Sequence, residues 1–194
     1  MSDALVSTAW LADRLNAPDI RIVDASFKMP GVTPTTRADY QAEHIAGAVF
    51  FDIDEIADSD SPLPHMLPSP EKFASRMRRL GIGDGHRIVV YDTQGLAGAA
   101  RAWWSFRVFG HHDVCVLDGG LRAWKAEGRP VDDTTPMPRD RHFTARRNTM
   151  LVRDKAQILA NIDTDREQLL DARNAGRFAG EAPEPWPLRR QGHI

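Results

Sequence analysis

Short runs of β-branched residues alternate with amphipathic stretches along most of this chain. The segments "IRIVDAS", "GAVFFDI", "RIVVY" and "DVCVLDG" are strand-sized and apolar at consecutive positions, as strands buried on both faces are. Between them the apolar spacing is helical. In "STAWLADRLN", Ser7 is placed to cap a helix whose Trp10, Leu11 and Leu15 share one face. In "PSPEKFASRMRRLGI", Ser69 is the cap, Pro70 suits the first turn, Phe73, Met77 and Leu80 line one face, and Gly81 stops the helix. "RADYQAEH", "AGAARAWWSFRVFG" and "GLRAWKAEG" complete the series. This strand–helix alternation predicts an α/β fold built on a mainly parallel sheet covered on both faces.

One unit of that series raises a chemical question. "RIVVYDTQGLAGAARAWW" (residues 87–104) reads as strand, Gly-spaced turn and helix, an arrangement that aims backbone N–H groups and the positive end of a helix dipole at one point. A nucleophile or a bound oxyanion suits that point, yet Asp92 stands there.

After Gly128 the pattern breaks. "RPVDDTTPMPRDRHFTARRN" is interrupted throughout by Pro, Thr and Asp and reads as a linker, residues 129–149, between a first domain (1–128) and a further segment (150–194). Its arginines, Arg129, Arg139, Arg141, Arg146 and Arg147, raise the idea of anion binding, but the expectation is a solvated strap on the domain surface. Beyond it, "VRDKAQILANIDTDREQLLDARNAGRF" repeats the helix, turn, strand and "DA" of "VSTAWLADRLNAPDIRIVDAS", with Asp171-Ala172 in the place of Asp24-Ala25. A weak repeat of this kind predicts two similar α/β modules, the second cut off early. Ile158, Leu159, Leu169 and Leu170 belong to that second copy, and a lone helix and strand bury them poorly, so self-association through this segment is a further expectation.

Composition narrows the function classes. The 194 residues carry 25 basic and 27 acidic side chains for a formal charge of −2, which gives no case for nucleic acid or an anionic membrane. No apolar run is long enough for a membrane span, and the first residues lack a signal-peptide pattern. The one cysteine, Cys115, has no internal partner, which fits a reducing compartment and a cytoplasmic location. It lies mid-strand between Val114 and Val116, where a small core residue is expected and a reactive thiolate is not.

The stretches "VSTAWLADRL", "YQAEHIAGAVFFDID", "SPLPHMLPSPEKFASRMRRLGI", "RAWWSFRVFGHHDVCVLDGGLRAWKAEGRPV" and "DARNAGRFAGEAPEP", in this order and spacing, resemble the amino-terminal portion of two-domain rhodanese-type sulfurtransferases of the 3-mercaptopyruvate and thiosulfate class. Ala46 is a small departure, standing where the family has proline. The resemblance implies that each module is a rhodanese fold, a five-stranded parallel sheet flanked by helices, with the catalytic cysteine only in the second module. Asp92 then occupies the equivalent position of the first, inactive module, and the cysteine itself lies beyond Ile194. The implied reaction moves a sulfane sulfur from 3-mercaptopyruvate or thiosulfate to a thiol or cyanide through a cysteine persulfide, with no cofactor and no metal. The chain alone is expected to be inactive, and a non-catalytic binding or scaffolding module is the alternative.

The same resemblance assigns substrate contacts. Arg177 in "AGRF" matches an arginine that holds the substrate carboxylate, and His65 in "PLPHMLP" matches a first-module residue that reaches toward the active site. Trp186 stands where a second substrate arginine is usual, with Arg189 and Arg190 nearby and Arg190 the candidate substitute. The remaining conspicuous residues have structural readings. Trp103, Trp104, Phe106 and Phe109 are packing residues, His111-His112 lacks the further ligands of a metal site, and Asp24 and Arg101 are candidates for an internal ion pair.

Overall fold

A computed structural model of the chain describes residues 4–29, 31–93, 97–184 and 192–193. Seven strands and eight helices appear among them: β1 (Leu5–Val6), α1 (Thr8–Ala12), β2 (Ile20–Asp24), α2 (Thr36–Ala42), β3 (His44–Ile45), β4 (Val49–Phe50), α3 (Ile53–Ile56), α4 (Pro70–Arg79), β5 (Arg87–Tyr91), α5 (Ala97–Val108), β6 (Val114–Leu117), α6 (Gly120–Ala126), β7 (Val131–Asp132), α7 (Lys155–Thr164) and α8 (Ala175–Ala179). A single 3-10 turn, Thr149–Leu151, precedes α7. The chain divides into two compact units, Met1–Val152 and Arg153–Ile194.

In the first unit, period-two alternation builds a core on each side of one sheet. Ile88 and Val90 of β5 and Val114 and Val116 of β6 face one side, where Phe73 and Met77 of α4 and Ala102 and Phe106 of α5 meet them. Val89 and Tyr91, with Cys115 and Leu117, face the other, against Leu11 of α1 and Leu121 and Trp124 of α6. The strands run β1-β6-β5-β2-β4, all parallel, so β2 and β5 occupy its middle and carry apolar residues on both faces. The expected sheet is therefore the observed one. A second, two-stranded antiparallel sheet joins β3 to β7.

Local signals fix the helix starts. Ser7 and Ser69 accept from the N–H groups of Trp10 and Lys72, as their positions predict, and Pro70 stands at the first turn of α4. Gly81, which ends that helix, has φ +66°, and a Cβ there would stand 2.4 Å from the Pro138 side chain.

That contact belongs to the arginine-bearing segment after Gly128. Rather than standing clear of the first unit, it is stitched along it: Asp84 N–H donates to His142 O at 3.1 Å, Arg146 N–H to Phe109 O at 2.9 Å and Asn148 N–H to Val108 O at 2.7 Å. Phe143 is wholly buried among Phe73, Phe106 and His111. Arg139, Arg141, Arg146 and Arg147 are exposed.

The second unit carries α7, opened by a capping box between Asp154 and Gln157, and α8, capped by Asn174. The repeat predicts a strand leading into Asp171-Ala172, but this stretch forms none. A parallel strand exists only by pairing, and no other strand occurs among the described residues of this unit. No helix among the described residues is long and apolar enough to cross a membrane.

Candidate functional site

The strands of a parallel sheet point their carboxyl ends at one edge, and the residues singled out in the first unit gather there. β2 ends at Asp24, β4 at Phe50 and β5 at Tyr91, with Asp92 immediately after. Asp92 is 4% exposed. Its carboxylate Oδ2 accepts from Ala99 N–H at 3.0 Å, in the first turn of α5, and its carbonyl accepts from Leu121 N–H at 3.1 Å at the start of α6. A carboxylate at the opening of a helix satisfies orphan N–H groups and meets the positive end of the dipole, so the group found in the expected anion position serves there as a cap. Gly98 brings the helix start down onto the sheet: a Cβ at this residue would lie 1.8 Å from Ala25 O.

Beneath this turn the ends of β2 and β5 are tied together. Ser26 N–H donates to Asp24 Oδ1 at 2.8 Å, and Ser26 Oγ accepts from Thr93 N–H at 3.0 Å. Burial raises the Asp24 carboxyl above its ordinary value against the opposing pull of hydrogen bonds from Ser26 and Tyr91. Burial and the nearby Asp24 charge also hold the Tyr91 phenol well above its usual value, and its oxygen accepts from Ile45 N–H at 3.1 Å.

His65 is positioned by contacts from α3, α5 and the loop after β2. Its backbone is left-handed at φ +57°, and its ring stands edge-on to Phe27 at 5.0 Å. Nε2 lies 2.9 Å from Asp54 Oδ1 at the start of α3, and its carbonyl accepts from Arg101 Nη2 at 2.5 Å. The Arg101 guanidinium, pulled below its ordinary value by burial, also stands 4.8 Å from the Trp104 ring. The candidate ion pair between Arg101 and Asp24 is therefore not formed, because Arg101 turns to the His65 carbonyl while Asp24 is held by Ser26. No spacing rule pointed to Asp54 or Arg101 as partners of His65, since the contacts join residues far apart in the chain.

Arg177 lies in the second unit, in the first turns of α8. Its Nη2 donates to Glu184 Oε2 at 2.6 Å, while its buried Nε has no hydrogen-bond partner among the described residues. Glu184 also accepts from Arg173 Nη1 at 2.6 Å. Hydrogen bonds from Arg173 draw the Asp171 carboxyl down to about 2. The guanidinium of Arg177 thus already holds a carboxylate of the protein through Nη2. Trp186, Arg189 and Arg190 lie outside the described residues.

Two other expectations concern reactive groups. The Cys115 thiol is buried in β6, donates to Ile88 O at 3.5 Å, and is pushed by burial up to about 11, the behaviour of a core residue. His111 Nε2 donates to His86 O at 2.9 Å, and its ring stacks on Phe143. No cluster of metal-binding side chains occurs among the described residues.

A profile of the rhodanese-like domain matches residues 7–127. Over 197 residues the chain is 41% identical to 3-mercaptopyruvate sulfurtransferase of Homo sapiens, a match covering 98% of this chain and 66% of that protein. Over 188 residues it is 45% identical to thiosulfate sulfurtransferase of Bos taurus, covering 94% of this chain and 63% of the other. The chain thus spans somewhat less than two thirds of the length of either relative. Among solved structures, SseA of Escherichia coli, described as a 3-mercaptopyruvate sulfotransferase with the rhodanese fold, superposes with a TM-score of 0.88 at 39% identity, covering 98% of this chain and 72% of SseA. The five-stranded parallel sheet with a core on each face and the match over residues 7–127 place the chain in the rhodanese-like domain family.

Proposed function

We propose that this chain is the greater part of a tandem rhodanese sulfurtransferase, with residues 1–128 a non-catalytic first module, 129–149 the connection and 150–194 the opening of a catalytic-type second module. The reaction carries a sulfane sulfur from 3-mercaptopyruvate or thiosulfate to a thiol or cyanide. With mercaptopyruvate, a thiolate attacks the substrate sulfur and forms an S–S bond. The C–S bond breaks, pyruvate leaves as its enolate and takes up a proton, and the acceptor then removes the outer sulfur. The observation that carries this reading is that similarity to sulfurtransferases extends over 98% of the chain and so includes the second unit, which a self-contained binding domain does not need.

Within this reading Arg177 grips the donor carboxylate, with Arg190 as its second cation, and His65, oriented by Asp54, is the first module's substrate-binding residue. Asp92 keeps the place of the nucleophile in that module. The nucleophile itself is a thiolate outside these residues, since Cys115 is buried and its thiol is pushed up to about 11. Low-molecular-weight donor and acceptor are the partners; the formal charge of −2 supports neither nucleic acid nor an anionic membrane. The lone buried cysteine suits a reducing compartment such as the cytoplasm. Exposed Leu159, Ile162 and Leu170 on the second unit favour contact with further protein, a second copy included.

The experiment is a pair of thiocyanate assays with mercaptopyruvate and cyanide. Residues 1–194 alone are expected to give the protein-free rate. A fusion of the same residues to the carboxy-terminal part of the Escherichia coli relative is expected to turn over, and to lose activity in Arg177→Ala. A folded, silent fusion refutes the sulfurtransferase reading and favours the second one, a binding or scaffolding module, for which the commitment of Asp92 to capping α5 speaks. Turnover by the chain alone that disappears in Cys115→Ser overturns the assignment of the nucleophile.

A further inference from the structure

The arginine-rich segment after Gly128 does not distribute its charge evenly. Arg129 pairs with Glu127, and Arg146 and Arg147 line a cleft that also contains Asp84 and Asp113. Arg139 and Arg141 are different. They stand with Arg21 around a cleft of about 360 Å³ whose lining includes no carboxylate among the described residues. Neither Arg139 nor Arg141 makes a side-chain hydrogen bond or ion pair among those residues.

Arg21 is the fixed member of the three. Its Nε donates to Gly81 O at 3.2 Å, and its Nη1 to Pro18 O at 3.1 Å and Ile20 O at 2.7 Å. Three carbonyls thus hold the guanidinium rigid, while Nη2 keeps its donors. Burial, and then the like charge of Arg141, pull Arg21 below its ordinary value. The same two arginines, after burial, depress His86, against which Asp19 is the opposing carboxylate. Cations gathered around a cleft whose described lining has no carboxylate repel one another, and an anion between them removes that cost.

Apart from Asn16, the other side chains lining the cleft are apolar. Leu15 and Leu80 line it, and Pro138 forms a wall seated against Gly81 at a separation that admits no side chain there. A planar guanidinium fork matches the oxygens of a phosphate, and an apolar wall beside it matches an organic substituent. We propose that the cleft between Arg21, Arg139 and Arg141 binds a small organic phosphate monoester. The site lies at the amino-terminal edge of the sheet: Arg21 is the second residue of β2 and pairs with Ile88, the second of β5, whereas Asp92 follows the last. At a rise of about 3.3 Å per residue, the length of β5 separates it from the Asp92 turn, so it does not depend on the sulfurtransferase reading.

The test uses the full chain and phenyl phosphate, with benzoate and inorganic phosphate as comparison ligands, followed by backbone NMR. Phenyl phosphate is expected to bind saturably, to shift the amides of Arg21 and Gly81, and to raise the titration midpoint of His86. Loss of two charge-assisted contacts in Arg139→Ala/Arg141→Ala should weaken it about tenfold or more. Both residues are exposed, so the variant keeps its fold, and Arg146→Ala/Arg147→Ala should leave binding unchanged. Inorganic phosphate should bind more weakly, for want of the apolar contact. Equal weakening in the two double variants, binding of benzoate as tight as phenyl phosphate, or shifts that never saturate would each overturn the proposal.

Discussion

Phe143 offers the sharpest test of where the first unit ends. It sits in a segment of Pro, Thr and Arg that carries no helical or strand pattern, yet it is wholly buried, with ring centroids 5.8 Å from Phe73, 6.3 Å from Phe106 and 5.6 Å from His111. Replacing it with alanine removes the apolar transfer energy of the ring and leaves a cavity among side chains already packed by β5, α4 and α5. Changes of this kind cost about 3–5 kcal/mol. For a chain of this size each kcal/mol lowers the melting temperature by about 2–4 °C, so a fall of roughly 6–20 °C is expected in a calorimetric or circular-dichroism melt. Met137→Ala is the control: it lies in the same segment, is 95% exposed, and should change the melt by less than about 0.5 kcal/mol. The same substitution uncovers His111, whose imidazole burial now holds below its ordinary value, so its NMR titration should move upward in Phe143→Ala. If Phe143→Ala melts with the wild-type protein and with Met137→Ala, the segment is a strap without structural weight and the reasoning fails.

Asp92→Ala should cost on the order of 1 kcal/mol through loss of the cap on α5, read by urea unfolding; a neutral change would mean that the carboxylate does not support the helix start. Asp92→Cys in a Cys115→Ser background should alkylate with a midpoint below the ordinary thiol value of about 8.5, because the new thiolate faces the same N–H group and dipole, and a midpoint at or above that value would refute an anion-favouring turn. Burial holds both His86 and His111 below 6.5, so the unfolded chain binds protons first on acidification. Their stabilising contribution is complete above that pH and is lost as the pH falls through the folded values, while Asp24, raised by burial, works in the opposite sense above 3.8. Unfolding free energy should therefore fall as the pH drops below 6.5, with a shallower slope in His111→Gln; an unchanged slope would assign the effect elsewhere. Limited proteolysis should cut residues 153–194 before residues 4–128, since Leu159, Leu169 and Leu170 are exposed, and equal resistance in a monomeric sample would contradict this.

Much of the first unit was readable because its signals are local. Ser69, Pro70 and Gly81 delimit α4 by themselves, and the alternation in "RIVVY" assigns each residue of β5 to a face without reference to anything distant. What escaped depends on partners. The strands β3 and β7 have two residues each and exist because His44 meets Asp132 and Ile45 meets Val131 from far apart in the first unit's sequence, with most of the parallel sheet between them in the chain. The reverse holds for the stretch before Asp171, whose composition reads as a strand but which has no strand to pair with among the described residues of its unit. Burial of Phe143 is likewise a property of the surface it docks on. At the candidate site, the cap made by Asp92 follows from a strand–turn–helix pattern, whereas the Asp54 and Arg101 contacts of His65 are tertiary and leave no trace in spacing.

Gly98 has a consequence for how such modules diverge. A methyl group there would overlap the Ala25 carbonyl, so the start of α5 is clamped on the end of β2 by backbone alone, six positions after Asp92. The approach of α5 to the end of β2 is thereby fixed at Gly98 and not by the side chain at position 92. On the tandem reading proposed above, a sulfur nucleophile and a carboxylate can then exchange at position 92 while the Gly98 contact stays as it is. Substitution at position 98 is the change that breaks this contact, whichever residue stands at 92.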